Sequence, residues 1–498
     1  MIETAKTTTD REPLLVPGET CWRIARADRV TPIVDAGNYF PMLKAAMLRA
    51  RHSIMMIGWD FDTQVRLDPD ADDGVPDKLG RFVKHVVRSS PELHVYILKW
   101  DMALTFLLKR QVFPYWLFKW LRTHRVHFRL DSEHPHAACH HQKIVVIDDA
   151  LAFCGSIDCT ADRWDTRAHL DNDPRRRRPG GRRFGAFHDI TTAVDGDAAK
   201  ALGELARERW RRATGEELAP PPGGSDPWPE TLDPFLRDVD LAIARTEPEY
   251  NGRPQVREIE SLYLTAIAAA RETIYLESQY FASQRIADAL AARLDEPDGP
   301  EIVIVNPERT AGWLEEAAMG SARTLLSGRL NERDHHQRFR MYMPVTAGGE
   351  PIYVHAKVMA IDDRLLRIGS SNLNNRSLGF DTECDLAFEA LPGTPDRDRL
   401  SRAVIELRND LLGEHLGVAG PDVAAAIADT GSLIAAIDRL RERGGKTLNV
   451  LPRPEPDEVE RLAVRTQVFD PEHPEKPWRL IKKRLKELLP GSVAEPLA

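Results

Sequence analysis

The sequence predicts an α/β fold of two similar lobes packed face to face as an internal pseudo-dimer, followed by a helical C-terminal tail. Three observations predict it. Ala50-Arg-His-Ser-Ile-Met-Met-Ile-Gly-Trp-Asp-Phe61 returns as Ala270-Arg-Glu-Thr-Ile-Tyr-Leu-Glu-Ser-Gln-Tyr-Phe281. His141, Lys143, Asp148, Gly155 and Ser156 return as His355, Lys357, Asp362, Gly369 and Ser370 at one offset, since 355 − 141, 362 − 148 and 369 − 155 all equal 214. Within each copy, stretches of helical period alternate with short apolar runs of strand character, the pattern of an α/β chain.

Taken in order, an apolar-periodic helix over Tyr39 to Ala50 leads into the first β-rich run, and a strand follows over Leu93 to Leu98. Ile144 to Ile147 reads as a buried strand, and Ala198 to Ala213 as a helix closing the first lobe, residues 20–218. Ala219-Pro-Pro-Pro-Gly-Gly-Ser-Asp-Pro-Trp-Pro229 continues neither helix nor strand, so residues 219–250 read as a linker. The second lobe, 251–420, repeats the scheme with a helix over Leu262 to Ala270, strands over Ile302 to Val305 and Val358 to Ile361, and a helix over Ser401 to Leu412. Residues 421–498 form the helical extension, with a Pro-rich segment at Leu451 to Pro456.

The composition narrows the function. A chain of 498 residues suggests two large domains or about three ordinary ones. Its net charge, 68 − 77 = −9, disfavours a general nucleic-acid binder, whose footprint is basic. Five cysteines without a CxxC pair exclude a disulfide scaffold and disfavour a structural zinc site. Cys154 and Cys159 read as ordinary reduced thiols. The polar N-terminus lacks the apolar core of an export signal. The longest apolar-looking stretch, Val95 to Leu121, is interrupted by Lys99, Asp101, Lys109, Arg110 and Lys119, so no transmembrane helix is expected. The expectation is a cytoplasmic protein that meets the inner face of a membrane peripherally, if at all.

The repeated motif has the form His-x-Lys-x4-Asp-x6-Gly-Ser. In extended chain, residues two apart share a face, so His141 projects with Lys143 and His355 with Lys357. An imidazole attacks phosphorus or moves a proton near neutral pH, and an ammonium holds a phosphate oxygen. Two copies supply a nucleophile and an acid for a split displacement at phosphorus, with charge stabilisation and no metal. A metal reading of the paired histidines is disfavoured, because the adjacent lysines repel a cation.

At these residues the sequence resembles the phospholipase D superfamily, whose mark is two His-x-Lys-x4-Asp motifs. Matching segments run from about Cys21 to about Gly417. The likeness is closer to the lipid-directed, eukaryote-like branch. Gly155-Ser156-Ile157-Asp158 with Arg163-Trp164-Asp165-Thr166 resembles its GGxDxxxxRWDT pattern, and Phe187-His188-Asp189-Ile190 its HDI element. Ile274 to Phe281 resembles IYIENQYF, and Ser377-Leu378 with Glu383 resembles NDRSL…E. Ser156 and Ser278 stand where that branch often has Gly and Asn.

The resemblance implies two phospholipase D-like lobes, a phospholipid substrate and no cofactor. It implies a catalytic set of His141, Lys143, Asp148, His355, Lys357 and Asp362, with His141 as nucleophile and His355 as acid and then base, the reverse assignment being the alternative. Ser156, Asp158, Ser370 and Asn372 fall at substrate-binding positions, and Asp189 and Glu383 at the positions that orient the histidines. The implied activity is hydrolysis or transfer of a phosphatidyl group through a phosphohistidine. Alternatives are a cardiolipin-synthase-like phosphatidyltransferase, a nuclease of the same superfamily and a catalytically silent scaffold.

Two weaker signals remain. Asp173 to Arg183 carries six arginines and reads either as an entrance loop for anionic headgroups or as a mobile solvated loop. Trp478, Ile481, Leu485 and Leu488 share a helical face beside Arg479, Lys482, Lys483 and Lys486, which suits either an anionic membrane surface or docking on the protein body. Trp164 reads as core.

Overall fold

The computed structural model describes residues 12–101, 124–310, 319–452 and 470. The first lobe contributes β1 (Arg23–Val34), β2 (Ser53–Gly58), β3 (His94–Trp100), β4 (Val126–Asp131), β5 (Ile144–Ile147), β6 (Leu151–Gly155), β7 (Phe187–His188) and β8 (Ile190–Asp195). The second contributes β9 (Leu236–Glu247), β10 (Val256–Arg257), β11 (Thr273–Glu277), β12 (Glu301–Val305), β13 (Phe339–Val345), β14 (Tyr353–Val354), β15 (Val358–Ile361), β16 (Leu365–Gly369) and β17 (Glu383–Glu389), with β18 (Thr447–Val450) from the tail. The helices are α1 (Ala36–Leu48), α2 (Leu79–Ser89), α3 (Gly196–Thr214), α4 (Glu258–Ala269), α5 (Gln284–Leu294), α6 (Ser321–Arg333), α7 (Asn375–Gly379), α8 (Arg397–Leu416), α9 (Gly420–Thr430) and α10 (Leu433–Arg441).

The repeat in sequence is a repeat in topology. In the first lobe β2, β3 and β4 run parallel, and β2 continues through antiparallel β5, β6, β8 and β1. In the second, β11, β12 and β13 run parallel, and β11 continues through antiparallel β15, β16, β17 and β9. β1 and β9 then pair antiparallel, Arg23 opposite Ile243 through Val30 opposite Leu236. The lobes therefore stand side by side in one continuous sheet, not face to face.

This corrects the linker as well. The Pro/Gly stretch is irregular as expected, but the 219–250 segment also contains β9, at the centre of the sheet. Its apolar half, Leu241 to Ala244, is buried and belongs to the core. The tail also departs from an all-helical extension, because β18 adds an edge strand to β13.

Burial explains the strands. Ser53–Gly58 and Glu301–Val305 are nearly all buried, as expected of strands covered on both faces. Met55 and Ile57 face a core shared by both lobes, beneath α3 and α8, while Ile54 and Met56 face a core of the first lobe under α1 and α2. α3 ends at Gly215 and α8 at Gly417, both left-handed, where glycine carries no steric penalty. The glycine of each Gly-Ser pair has a different cause. A Cβ on Gly155 would overlap Thr191 Cα, and one on Gly369 would overlap Asp385, so only glycine allows β6 and β16 to approach their neighbours. The basic segment Trp478 to Leu489 and most of the Pro-rich Leu451 to Pro456 lie outside the described residues. Among the described residues no helix is long and apolar enough to cross a membrane.

Candidate active site

The two motif histidines enter β5 and β15 through short extended segments, each paired in parallel with the opposite lobe. His140 bridges Thr382, and the His141 amide donates to Thr382 O at 2.9 Å. In the mirror arrangement β14 pairs with β7, Val354 opposite His188, and the His355 amide donates to His188 O at 2.8 Å. One residue further along each partner strand stands an acid, Glu383 or Asp189. Main-chain pairing across the lobe junction therefore sets each histidine against a carboxylate of the other lobe.

The side chains complete this crossing. His141 Nδ1 lies 3.0 Å from Glu383 Oε2, and His355 Nδ1 lies 2.8 Å from Asp189 Oδ2. A carboxylate on Nδ1 fixes the tautomer and leaves Nε2 for chemistry. Neither Nε2 has a hydrogen-bond partner among the described residues. The His141 side chain is 15% exposed and that of His355 5%, so the first is the more open to an incoming group.

The charges around the pair are unequal. Burial, then Lys143 and Lys357, hold the His141 imidazole well below the usual histidine range. Burial and Lys357 do the same to His355, with Asp189 opposing them. Burial disfavours the Asp189 anion, but His355 and Lys357 outweigh it and hold its pKa below the usual carboxylate range. Burial dominates at Glu383 and pushes its carboxyl well above that range, against the pull of Lys143 and Ser370. His355 thus faces an ionised acid, which supports an imidazolium. His141 faces an acid that burial pushes towards neutrality.

The lysines stand beside them. Lys143 Nζ donates to His141 O at 2.8 Å and lies 3.3 Å from Asp158 Oδ2. Lys357 Nζ donates to His355 O at 2.5 Å and to Gln279 Oε1 at 3.4 Å. Asn372 replaces Asp158 in the second copy, so no repeat-related carboxylate pairs with Lys357, and burial lowers its ammonium pKa to about 7. Such an ammonium gains most from an arriving phosphate.

Five sequence expectations change. Asp148 and Asp362 lie at the far ends of β5 and β15, about 20 Å along extended chain from their histidines. Asp148 accepts from the amides of Arg51, His52 and Ser53 at 2.7–2.8 Å, and Asp362 from those of Arg271, Glu272 and Thr273 at the same distances. They anchor the starts of β2 and β11 and do not reach the reacting groups. Ser156 and Ser370 sit behind the site. Ser156 Oγ donates to Asp189 Oδ1, with Ile190 O also within reach, and Ser370 Oγ donates to Glu383 Oε2 at 2.5 Å, so each braces an orienting acid. Asp158 is engaged by Lys143 and by the Trp59 amide at 3.1 Å, and its negative charge holds the lysine while disfavouring a phosphate. Asn372 is buried, and its Oδ1 has no partner among the described residues.

Three further residues belong to the site. Gln279 joins Lys357 to the Tyr280 and Tyr353 hydroxyls at 2.8 and 2.9 Å. Phe187 stacks on Tyr353 and packs 5.5 Å from the His355 ring. The Arg163 guanidinium lies over the Phe187 ring at 5.0 Å and adds positive charge near His355. Each lies in or beside a segment with a motif resemblance, which marked its neighbourhood but not its role. Trp164 is buried core as expected, under Arg175 at 4.8 Å. The Arg-rich loop is folded: Arg176 is buried against Asp165, Arg175 pairs with Asp173 and Asp70, and Arg178 pairs with Asp162. Arg177, Arg182 and Arg183 remain exposed.

A duplicated sheet carrying two crossed His–carboxylate pairs with adjacent lysines defines a two-lobed protein. The chain is similar to proteins of the phospholipase D superfamily. Residues 263–392 match the family described as "Cardiolipin synthase, PLD-like domain". Phospholipase D A of Dictyostelium discoideum is 24% identical over 465 residues, covering 77% of this chain and 35% of that protein. Phospholipase D1 of Schizosaccharomyces pombe is 24% identical over 379 residues, covering 56% and 27%. The chain thus spans about a third of the length of these relatives. A crystal structure of phosphatidylserine synthase from Haemophilus influenzae overlays with a TM-score of 0.49 and 11% identity, covering 93% of this chain and 95% of that one.

Proposed function

We propose that this protein is a phospholipase D-type phosphodiesterase that hydrolyses or transfers the phosphatidyl group of a glycerophospholipid. The observation that supports it most is the pair of imidazoles, each tied at Nδ1 to a buried carboxylate of the opposite lobe and each flanked by a lysine. His141 Nε2 attacks phosphorus while the bond to the headgroup oxygen breaks. His355 gives its proton to that departing oxygen. The neutral His355 then takes a proton from water or an alcohol, whose oxygen displaces His141 from phosphorus. Lys143, Lys357 and Asn372 hold the phosphate oxygens, and Asp189 and Glu383 orient the rings. Such a substrate lies in a lipid surface, so the protein meets membranes peripherally.

The test is incubation with mixed phosphatidylcholine and phosphatidylethanolamine vesicles in the presence of butanol, read by lipid mass spectrometry. Phosphatidic acid and phosphatidylbutanol are expected together, because one covalent intermediate serves both acceptors. Phosphatidic acid without any phosphatidylbutanol at high butanol would count against that intermediate. The match to the cardiolipin synthase family favours a second reading, in which the acceptor is a lipid alcohol. Phosphatidylglycerol supplied alone distinguishes it, since that reading requires cardiolipin and glycerol as products.

A further inference from the structure

Behind the active site lies a second buried cluster. Asp35, His169 and His188 come from the first lobe and Glu414 from α8, and one donor atom of each lies within 4.8 Å of the others. Glu414 Oε1 stands 2.7 Å from His188 Nδ1 and 3.1 Å from His169 Nε2. The Asp35 oxygens stand 3.5 Å from His188 Nδ1 and 3.6 Å from His169 Nε2. Four ligands on bonds of about 2.1 Å occupy tetrahedron corners about 3.4 Å apart, so these groups already have near-coordination spacing.

Two independent features aim them at a shared ion. Asp35 Oδ2 is fully buried and accepts no hydrogen bond among the described residues. Each imidazole also has its outer nitrogen held by a further buried carboxylate, His169 Nδ1 by Asp165 Oδ2 at 3.0 Å and His188 Nε2 by Glu277 Oε2 at 2.8 Å. That arrangement fixes a metal-ligating histidine and turns its other nitrogen inward. The outer shell is itself tied down. Arg176 bonds Asp165 at 3.0 Å, Tyr275 and His415 bond Glu277, and Arg167 takes Glu414 Oε2 at 2.5 Å, leaving Oε1 for the centre.

The charge count agrees. With both imidazoles neutral, Asp35, Asp165, Glu277, Glu414 and Asp410 carry five negative charges against three positive ones on Arg176, Arg167 and Lys446, and a divalent ion offsets the remaining two.

We propose that Asp35, His169, His188 and Glu414 form a structural site for one divalent transition-metal ion, with zinc best suited to the two-nitrogen, two-oxygen, four-coordinate set. Three ligands belong to the first lobe and one to the second, so the ion ties the lobes together. It also steadies Asp189. The Asp35 amide donates to Asp189 O at 2.8 Å, and Asp35 Oδ1 accepts from the Asp189 amide at 3.1 Å. The ion's role is to hold the strand that orients His355, and it takes no part in the displacement at phosphorus.

The test uses the full chain, free of any affinity tag, and elemental mass spectrometry. About one zinc-class ion per chain is expected, with occupancy falling at least about tenfold in His169→Asn and in Glu414→Leu, since each removes one of four ligands. Should these variants not fold, wild-type protein refolded from denaturant with Co2+ should show the visible bands of a four-coordinate site at one equivalent, removed by Zn2+. A natively folded chain that carries no transition ion, and takes up none of Zn2+, Mn2+ or Co2+ on refolding, overturns the proposal. Full occupancy in a folded ligand variant overturns it too.

Discussion

Asp148→Asn tests whether the repeated motif aspartate serves architecture or chemistry. The carboxylate accepts the amides of Arg51 at Oδ2 and of His52 and Ser53 at Oδ1, at 2.8, 2.8 and 2.7 Å, and the residue is only 3% exposed. Asparagine tolerates the left-handed backbone found here, φ 53°, so the change isolates the carboxylate. It removes the charge from two bonds and sets an amide NH2 against the Arg51 amide. Hydrogen bonds to charged groups contribute about 1.5–3 kcal/mol each, and neutral ones about 1. One bond lost and two weakened give a destabilisation of about 2.5–7 kcal/mol. Asp362 accepts the same three amides but is more exposed, so water replaces part of the loss and Asp362→Asn should cost about 1–2 kcal/mol. Urea unfolding followed by circular dichroism measures both, and turnover of vesicle phospholipid is measured well below the unfolding transition. The expected result is a lowered urea midpoint with kcat within about threefold of wild type, a span too small for lost acid–base chemistry. A wild-type midpoint together with a hundredfold loss of kcat would place Asp148 in the chemistry and refute the reasoning.

Other perturbations separate the remaining roles. His141→Ala and His355→Ala should each lower phospholipid turnover by at least about 10²–10⁴-fold with unchanged circular dichroism, and more than a tenth of wild-type activity in either excludes the two-histidine mechanism. Asp189→Asn should cost more than Glu383→Gln in kcat, up to about 10⁴-fold against about 10²-fold, because Asp189 is ionised while burial pushes Glu383 towards neutrality; the reverse order would contradict the charge assignment. The pH profile of kcat/KM should be bell-shaped with its maximum below the ordinary histidine pKa. His141 must be neutral and its lowered pKa keeps it so into acid, while His355 must be protonated and its lowered pKa loses that proton earlier as pH rises. Lys357, lowered to about 7, loses its charge in the same direction, so a maximum above pH 8 would exclude this reading.

The fold was legible where local pattern and burial agree. Val358–Ile361 and Ile144–Ile147 are continuous apolar runs beside a polar pair, and both form strands at those bounds. The constant 214-residue offset already implied two lobes of one topology. β9 was hidden because its strand character follows a Pro/Gly stretch, and five of its twelve residues are charged. The motif aspartates were misplaced because spacing along a chain shows which residues recur, not which end of a strand they occupy. The serines were misplaced for a related reason: beside a catalytic segment, a hydroxyl that touches substrate and one that braces an acid look alike in sequence.

By itself, then, the sequence determined the duplication, the α/β class and the residue types for chemistry at phosphorus, because these rest on periodicity and composition that each lobe carries locally. Only the tertiary structure decided that the lobes share one sheet through β1 and β9, and that Asp189 serves His355 while Glu383 serves His141. It also brought Asp35, His169 and His188 against Glu414. Those contacts join residues 166 to 245 positions apart, or further. Their geometry is set by strand pairing and burial at the lobe junction, which no local pattern encodes.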